Sequence, residues 1–468
     1  MIEMRGADAY FLWEESRALH MHTLKIVVVG GLPGTHEPLT FERVREGALR
    51  VLGHVPAFRR RAVRIPLSIG HPIWIDAPEL DSDYHLRHEL LPPGAGDDAL
   101  DEMLGRIATE PLDRDRPLWQ IFFVEGLSGG RVAYVVKLHH AVADGGASAE
   151  LVFRLFQHDM EPAPQVPSYT GGAEPVPPAR QRLARSILRE IRRLPELPKL
   201  CWDSLAAAAT SIRWRLARRP LPPLAFASPA TRFNRRITPN RTFAHVTLSL
   251  AALREVKTVF GCTLNDVYVA LVGGALRTYL DRHGELPRES LTAAVPVSVR
   301  NDEDDPTFGN ATAYWFADTG SNVANPAKRL ETVAQSTRAA RALFEARDSR
   351  LAMRWLEHWP LRRIYLDGVQ AFVRWLRRRP SYNVIVSNVR GPDRPLYTDG
   401  GRVETLYSMG PLSLQQGLNF TAWSYLDDFT VGIHACREHV PDIGTLATAM
   451  QAELEQLRKA AQARAAAA

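Results

Sequence analysis

Val132-Ala133-Tyr134-Val135-Val136-Lys137-Leu138-His139-His140-Ala141-Val142-Ala143-Asp144-Gly145 reads as a strand, a turn and the opening of a helix. Residues 132–138 form an apolar, alternating run, which is the signal of a strand. Asp144-Gly145 punctuates it as a turn, and the apolar helical pattern of Ala147 to Phe156 follows. The strand therefore delivers His139 and His140 to its end. Histidine is the side chain best suited to take a proton near neutral pH. The HHxxxDG spacing is thus a candidate general-base site, with His140 as the base. The residues alone also allow a plainer reading, a strand ending in two solvated histidines before an ordinary turn.

Working outward, Trp119 to Glu125 is a strand that pairs with Arg131 to Leu138 as a hairpin around Ser128-Gly129-Gly130. Gly126-Leu127-Ser128-Gly129-Gly130 matches the G-x-S-x-G elbow of hydrolases. That elbow needs a strand-to-helix turn, and here two strands are joined, so it reads as a hairpin turn. Upstream, Met21 to Val29 reads as a strand and Leu39 to Leu52 as a helix. Arg61 to Ile75 reads as strands around Gly70-His71-Pro72, and Asp97 to Glu110 as a helix. Residues 161–178 are rich in Pro, Gly and Ala and read as a linker. Arg180 to Arg193 is a basic amphipathic helix; prolines 195 and 198 interrupt it, and Lys199 to Arg219 resumes the helical pattern.

The second half begins with a strand at Phe243 to Leu250 and a helix at Ala251 to Phe260, ended by Gly261. Thr263-Leu264-Asn265-Asp266 opens an apolar helix running to about Arg282. Leu291 to Val299 is an apolar strand ending at Arg300, and Asn325-Pro326 is a helix start. Tyr382 to Val386 reads as a buried strand, with Ser387-Asn388-Val389-Arg390-Gly391-Pro392 as the turn after it. Leu418 to Ser424 and Phe429 to Cys436 form a hairpin, and a terminal helix starts at Asp442. The chain divides into an N-terminal unit at 1–160, a connector at 161–235 and a C-terminal unit at 236–468.

The 468 residues suffice for two domains or one large pseudo-symmetric unit. Hydrophobic residues at 45% and charged residues at 24% describe a soluble globular chain with a substantial core. Cys201, Cys262 and Cys436 are scattered without metal spacing, which favours a reducing compartment and a cytoplasmic location. The first eight residues lack the basic and apolar regions of a signal peptide, and no run of about 18 apolar residues predicts a bilayer span. No metal is expected.

The net charge of +6 is unevenly placed. Arg180 to Arg219 holds eleven basic residues against three acidic ones, and Trp202 and Trp214 lie within it. Arg350 to Arg379 is a second basic block, interleaved with Trp355, Trp359, Tyr365, Phe372 and Trp375. An anionic lipid surface explains the tryptophans better than nucleic acid does, so peripheral attachment to a membrane or lipid inclusion is expected and nucleic acid is not. Solvated helices packed on the core are the competing reading.

Taken singly, the remaining motifs are ordinary. Pro117-Leu118-Trp119 reads as a packed Trp at a strand start, and Asn265-Asp266 as helix caps. Taken in order, PLW, HHxxxDG, ND and SNVxGP resemble the bacterial wax ester synthase/diacylglycerol acyltransferase family, within the chloramphenicol acetyltransferase-like superfamily. Asp8-Ala9-Tyr10-Phe11-Leu12, Val295 to Arg300 and Phe308-Gly309-Asn310 are similar to that family as well. The resemblance covers nearly the whole chain. One departure is Arg390, where the family pattern has proline.

The resemblance implies an α/β fold of two chloramphenicol acetyltransferase-like subdomains with an active-site tunnel between them. It implies acyl transfer from acyl-CoA, a co-substrate rather than a cofactor, to diacylglycerol or a long-chain alcohol. A condensation-type enzyme using a carrier-bound acyl group, or a non-catalytic lipid-surface protein, are the alternatives. His140 would be the base, drawing the proton from an alcohol as it attacks the thioester; such help is worth about 10²–10⁴-fold. His139 would shape the site, Asp144 would hold the loop with Arg300 as its ion-pair partner, and Gly145 would allow the sharp turn. Asn265 would sit near the active site, with Asp266 fixing local structure. Pro117, Leu118, Trp119, Ser387 and Asn388 would contact substrate.

Overall fold

The computed structural model describes residues 2–31, 40–77, 80–157, 174–224, 226–301, 308–358, 368, 375, 379–398 and 401–467. The first part runs β1 (Ile2–Glu3), α1 (Gly6–Glu14), β2 (His22–Gly31), α2 (Phe41–Leu52), α3 (Pro56–Arg59), β3 (Arg60–Val63), β4 (Ile73–Asp76), α4 (Ser82–His85), β5 (Leu86–Ala95), α5 (Asp97–Thr109), β6 (Trp119–Leu127), β7 (Val132–His139) and α6 (Gly145–Phe153). Two connecting helices follow, α7 (Ala179–Arg193) and α8 (Leu197–Leu216). The remainder runs β8 (Arg241–Ser249), α9 (Leu250–Phe260), α10 (Leu264–Arg282), β9 (Thr292–Ser298), β10 (Thr312–Asp318), α11 (Pro326–Glu345), α12 (Leu351–Glu357), β11 (Val384–Arg390), β12 (Tyr397–Thr398), β13 (Gly401–Met409), β14 (Leu418–Tyr425), β15 (Asp428–Cys436) and α13 (Gly444–Ala466).

Two six-stranded mixed sheets organise this chain, with a small β1-β4-β3 sheet beside them. The first sheet has the order β12-β13-β2-β7-β6-β5 and the second β10-β9-β11-β14-β15-β8. β12 and β13, from the second half of the sequence, are built into the first sheet, with β13 antiparallel to β2. This exchange ties the halves together by main-chain hydrogen bonds as well as by packing.

β7 shows why its sequence is apolar at nearly every position. Val132, Tyr134, Val136 and Leu138 enter one core cluster, while Ala133 and Val135 enter the cluster on the opposite face. A strand covered on both sides has no solvent face to make polar. Lys137 is the exception, and its Nζ donates to the carbonyls of Ile107 and Glu110 at 2.9 and 2.6 Å. These carbonyls belong to the end of α5 and the residue after it, where acceptors are unpaired and the helix dipole favours a cation.

The second sheet is covered on one face by α9, α10, α11 and α13. α10 is apolar around most of its circumference because it lies at the centre of this layer, with Val267 to Leu276 buried. No single described helix is long and apolar enough to cross a membrane. α9 and α10 together pass on composition, but they are bent by 104° and their apolar residues belong to this core.

Sequence patterning misses β5, β10 and β13. β5 carries Pro92-Pro93 and is mostly exposed, so it lacks the alternation of a half-buried strand. The expected turn at 387–392 also needs correction, because Ser387 to Arg390 are strand. β11 runs parallel to β14, pairing Ser387 with Thr421 and Arg390 with Ser424. The partner lies more than thirty residues downstream, so local composition could not report it. Of the linker expected at 161–178, residues 161–173 lie outside the described residues.

Candidate active site

His139 ends β7, His140 follows it in the turn, and the two side chains point to opposite sides. His139 is buried, and its Nδ1 accepts from the amide of Ala141 at 3.0 Å. That bond places the ring proton on Nε2, which faces Glu15 Oε1 at 3.6 Å. Glu15 is paired with Arg114. Burial lowers the His139 pKa against the pull of Glu15, so the ring is neutral and fixed in the turn.

His140 faces a cavity of about 400 Å³ between the two sheets. Its amide donates to Met21 O at 2.7 Å, and Phe11 stacks on its ring at 4.1 Å. Ring Nδ1 lies 3.0 Å from Asn310 Oδ1. The Asn310 amide group donates to Asp8 Oδ1 and to the His140 carbonyl, both at 2.8 Å, which fixes which end of the side chain is oxygen. An oxygen can only accept, so His140 Nδ1 carries the proton and Nε2 holds the free lone pair. Burial lowers the His140 pKa, partly offset by Asp144, and keeps the ring in the form able to take a proton.

Asp8 therefore acts on His140 through Asn310, whose amide N–H also donates to Asp8 at 2.7 Å. Burial raises the Asp8 pKa to about 7 despite these bonds. Two glycines permit this arrangement. Gly6 opens α1 where a Cβ would fall 2.2 Å from the Leu356 carbonyl. Gly309 has φ +79°, which disfavours other residues, and lies against the Asp8 carboxylate. Asp8, Phe11 and Asn310 lie in segments that carry the family resemblance but have no local signal of their roles, and Glu15 and Lys25 lie in no motif. What the sequence does show is an acidic residue on the apolar α1 and a Gly-Asn pair just before a strand.

Asp144 caps α6, accepting from the Ala147 amide at 2.9 Å through Oδ1. Oδ2 accepts from Arg300 at 2.8 Å, from the Ala311 amide at 2.9 Å and from Thr312 Oγ1 at 3.3 Å. Burial works against the charge, but these donors hold the carboxyl below its usual range. Both oxygens are occupied, so Asp144 joins the HHxxxDG turn to the Arg300 and Gly309 segments. The turn does not use the backbone freedom expected of Gly145. Its φ is not positive, and an added Cβ would meet only Val389 at an ordinary 3.5 Å.

Ser387, Asn388 and Arg390 line the His140 cavity from β11. Asn265 does not line it. It is the second residue of α10, in the helical layer of the second sheet. Asp266 completes a capping box with Thr263 and accepts from Thr337 Oγ1 at 2.6 Å. The two residues are thus separated from His140 by the sheet they support. Trp119 is also not a contact surface: it is fully buried, stacks on His85 and donates from Nε1 to Phe58 O at 2.7 Å. Leu118 accepts from the His139 amide at 2.9 Å and borders a separate cavity with Glu15 and Arg114. Pro117 is buried beside it. Among the described residues no cluster of three or more His, Cys, Asp or Glu could hold a metal.

Residues 4–268 match the family model of the wax ester synthase/diacylglycerol acyltransferase catalytic domain, and residues 308–458 match the C-terminal domain of that family. A Mycobacterium tuberculosis H37Rv protein that bears the name "putative diacylglycerol O-acyltransferase" is 33% identical over 468 residues, covering 98% of this chain and 97% of the relative. The fold is shared with the wax ester synthase/diacylglycerol acyltransferase of Marinobacter aquaeolei VT8, with a TM-score of 0.73 and 23% identity over 99% of this chain and 100% of that one. The first condensation domain of the calcium-dependent antibiotic synthetase is a more distant likeness, with a TM-score of 0.59 and 18% identity over 98% of this chain and 95% of that one. With both family domains in order along one chain, and a relative aligned across nearly its full length, this protein belongs to the wax ester synthase/diacylglycerol acyltransferase family.

Proposed function

We propose that this protein transfers a long-chain acyl group from acyl-CoA directly to the hydroxyl of a lipid acceptor, with His140 as general base. Diacylglycerol and long-chain alcohols are the acceptors that the family's name indicates. The observation that carries the reading is His140 on the cavity wall with its Nδ1 held by the Asp8–Asn310 relay, which leaves Nε2 as the nitrogen with a lone pair to offer. Nε2 takes the hydroxyl proton as the acceptor oxygen attacks the thioester carbonyl. The tetrahedral intermediate then expels CoA thiolate, and Nε2 returns the proton to sulfur. Ester and CoA thiol are the products, and no side chain is acylated. A thioester is already reactive, so proximity and a positioned base are what the site supplies. The test is release of CoA thiol from palmitoyl-CoA with diacylglycerol or hexadecanol. Acceptor-dependent release with no acyl adduct on the intact protein by mass spectrometry is expected, and a kinetically competent adduct would overturn direct transfer.

The same reading includes peripheral attachment through α7 and α8. On α8, Trp202, Leu205, Ile212 and Leu216 fall on one helical stripe and are 71, 65, 58 and 79% exposed. Arg213 and Arg215 flank the stripe near the helix end. Trp375 is also exposed, whereas Trp355 donates to Ser204 and Arg219 covers Trp214. Trp359, Tyr365 and Phe372 lie outside the described residues. Co-flotation with anionic vesicles, weakened by salt and by Trp202→Glu, is the expected result. A protein that stays at the bottom of the gradient with such vesicles would remove this attachment from the proposal.

A further inference from the structure

Lys25 is a buried amine in the wall of the His140 cavity, with no carboxylate partner among the described residues. It lies in β2 at 3% exposure. Its Nζ donates to Ser408 Oγ at 2.9 Å and lies 5.6 Å from the centre of the Trp423 ring. The Ser408 hydroxyl is itself committed, donating to Leu24 O at 3.1 Å. Among the described residues no carboxylate pairs with the ammonium. Asp144 borders the same cavity, but its oxygens are taken by Ala147, Arg300, Ala311 and Thr312. Glu150, also on the wall, reaches Arg154 at 3.4 Å.

A buried ammonium is costly unless a counter-charge meets it. Burial lowers the Lys25 pKa to about 7, and only Asp144 opposes this. Polar side chains stand on the same part of the wall. Thr23 lies on the same face of β2, and Asn419 and Thr421 close around Gly410, where a Cβ would meet both at 2.7 Å. His22 pairs with His139, so Lys25 lies three residues further along β2, roughly 10 Å from the end that carries the base.

We propose that the acceptor alcohol carries an acidic group, a carboxylate or a phosphate, that pairs with Lys25 Nζ while its hydroxyl lies at His140 Nε2. This rests on acyl transfer with His140 as base, and it makes neutral acceptors such as diacylglycerol and hexadecanol the slower substrates of that same site. The charges of acyl-CoA lie at the far end of the pantetheine arm from the thioester, so the acceptor is the substrate that brings a charge near the base.

Matched acceptor pairs test this with palmitoyl-CoA and the full-length protein. One pair is an ω-hydroxy fatty acid and its methyl ester; the other is a lysophosphatidate and the corresponding monoacylglycerol. The acidic member of one pair is expected to be favoured by about tenfold or more in kcat/KM, and the preferred pair separates carboxylate from phosphate. Lys25→Met, close in volume, should bring that ratio near one, while Lys25→Arg should keep a preference. Thermal melting establishes that both variants fold. Equal use of acid and neutral partner by the wild type overturns the proposal, as does an unchanged ratio in Lys25→Met. An equal fall for both members of each pair also overturns it, because the cation would then act on the reacting atoms. Failure of the wild type to acylate any acceptor sinks the acyl-transfer reading instead. The Lys25 assignment is then decided by calorimetric titration with the same acids. Binding that Lys25→Met abolishes supports it, and equal binding or no binding overturns it.

Discussion

His140→Ala is expected to lower kcat/KM for acyl transfer by about 10²–10⁴-fold while leaving the fold intact. The side chain is held by one hydrogen bond from Nδ1 to Asn310 and by the Phe11 stack, whereas the backbone is held separately through Met21 and Asn310. Truncation therefore removes the proton acceptor and leaves the β7 turn in place. CoA release measured under initial-rate conditions, beside a thermal melt of the same preparation, separates these effects. An unchanged rate would mean that another group takes the proton. The wild-type pH profile is a second reading of the same site. Burial lowers the His140 pKa, so the base stays neutral as pH falls through the ordinary imidazole value near 6.5. The acid limb should appear below that value, and a limb centred at or above it would contradict a buried base.

Asp144→Ala is expected to destabilise the protein by about 3–5 kcal/mol, the range for breaking a buried ion pair from one side. The carboxylate is 4% exposed, and its removal takes one acceptor from Arg300 and deprives Ala147, Ala311 and Thr312 of theirs. It also frees the N-terminus of α6 beside His140. Activity should fall with it, since Gly309 and Asn310 are positioned through the same turn. Asp144→Asn should lose less, because an amide oxygen still accepts from a main-chain amide. Equilibrium or thermal unfolding of the two variants tests the order. A melting curve for Asp144→Ala that overlays the wild type would show that this carboxylate does not hold the segments together.

HHxxxDG announces itself because its strand, turn and helix are local, and each has a short-range signal. The β6–β7 hairpin, the Asn325 cap and the apolar α10 are legible for the same reason. The roles of the two histidines follow from strand alternation once β7 is covered on both faces, since adjacent side chains then enter different environments.

What the sequence by itself determined is therefore the locally signalled elements, without β5, β10, β13 or the end of β11, together with the histidine pair at a strand end and the family. Only the tertiary structure decided which residues work with that pair. Asp8 and Asn310 are 302 positions apart and meet at 2.8 Å, and Lys25 meets Ser408 across 383 positions. Asn265 and Trp119 went the other way, from candidate site residues to supports of a sheet and a core. The physical reason is the same in each case. Periodicity and turn chemistry act over a few residues, whereas a buried polar group takes its meaning from partners that a sheet crossing brings beside it. β13 entering the first sheet is one such crossing, and it places Ser408 against Lys25.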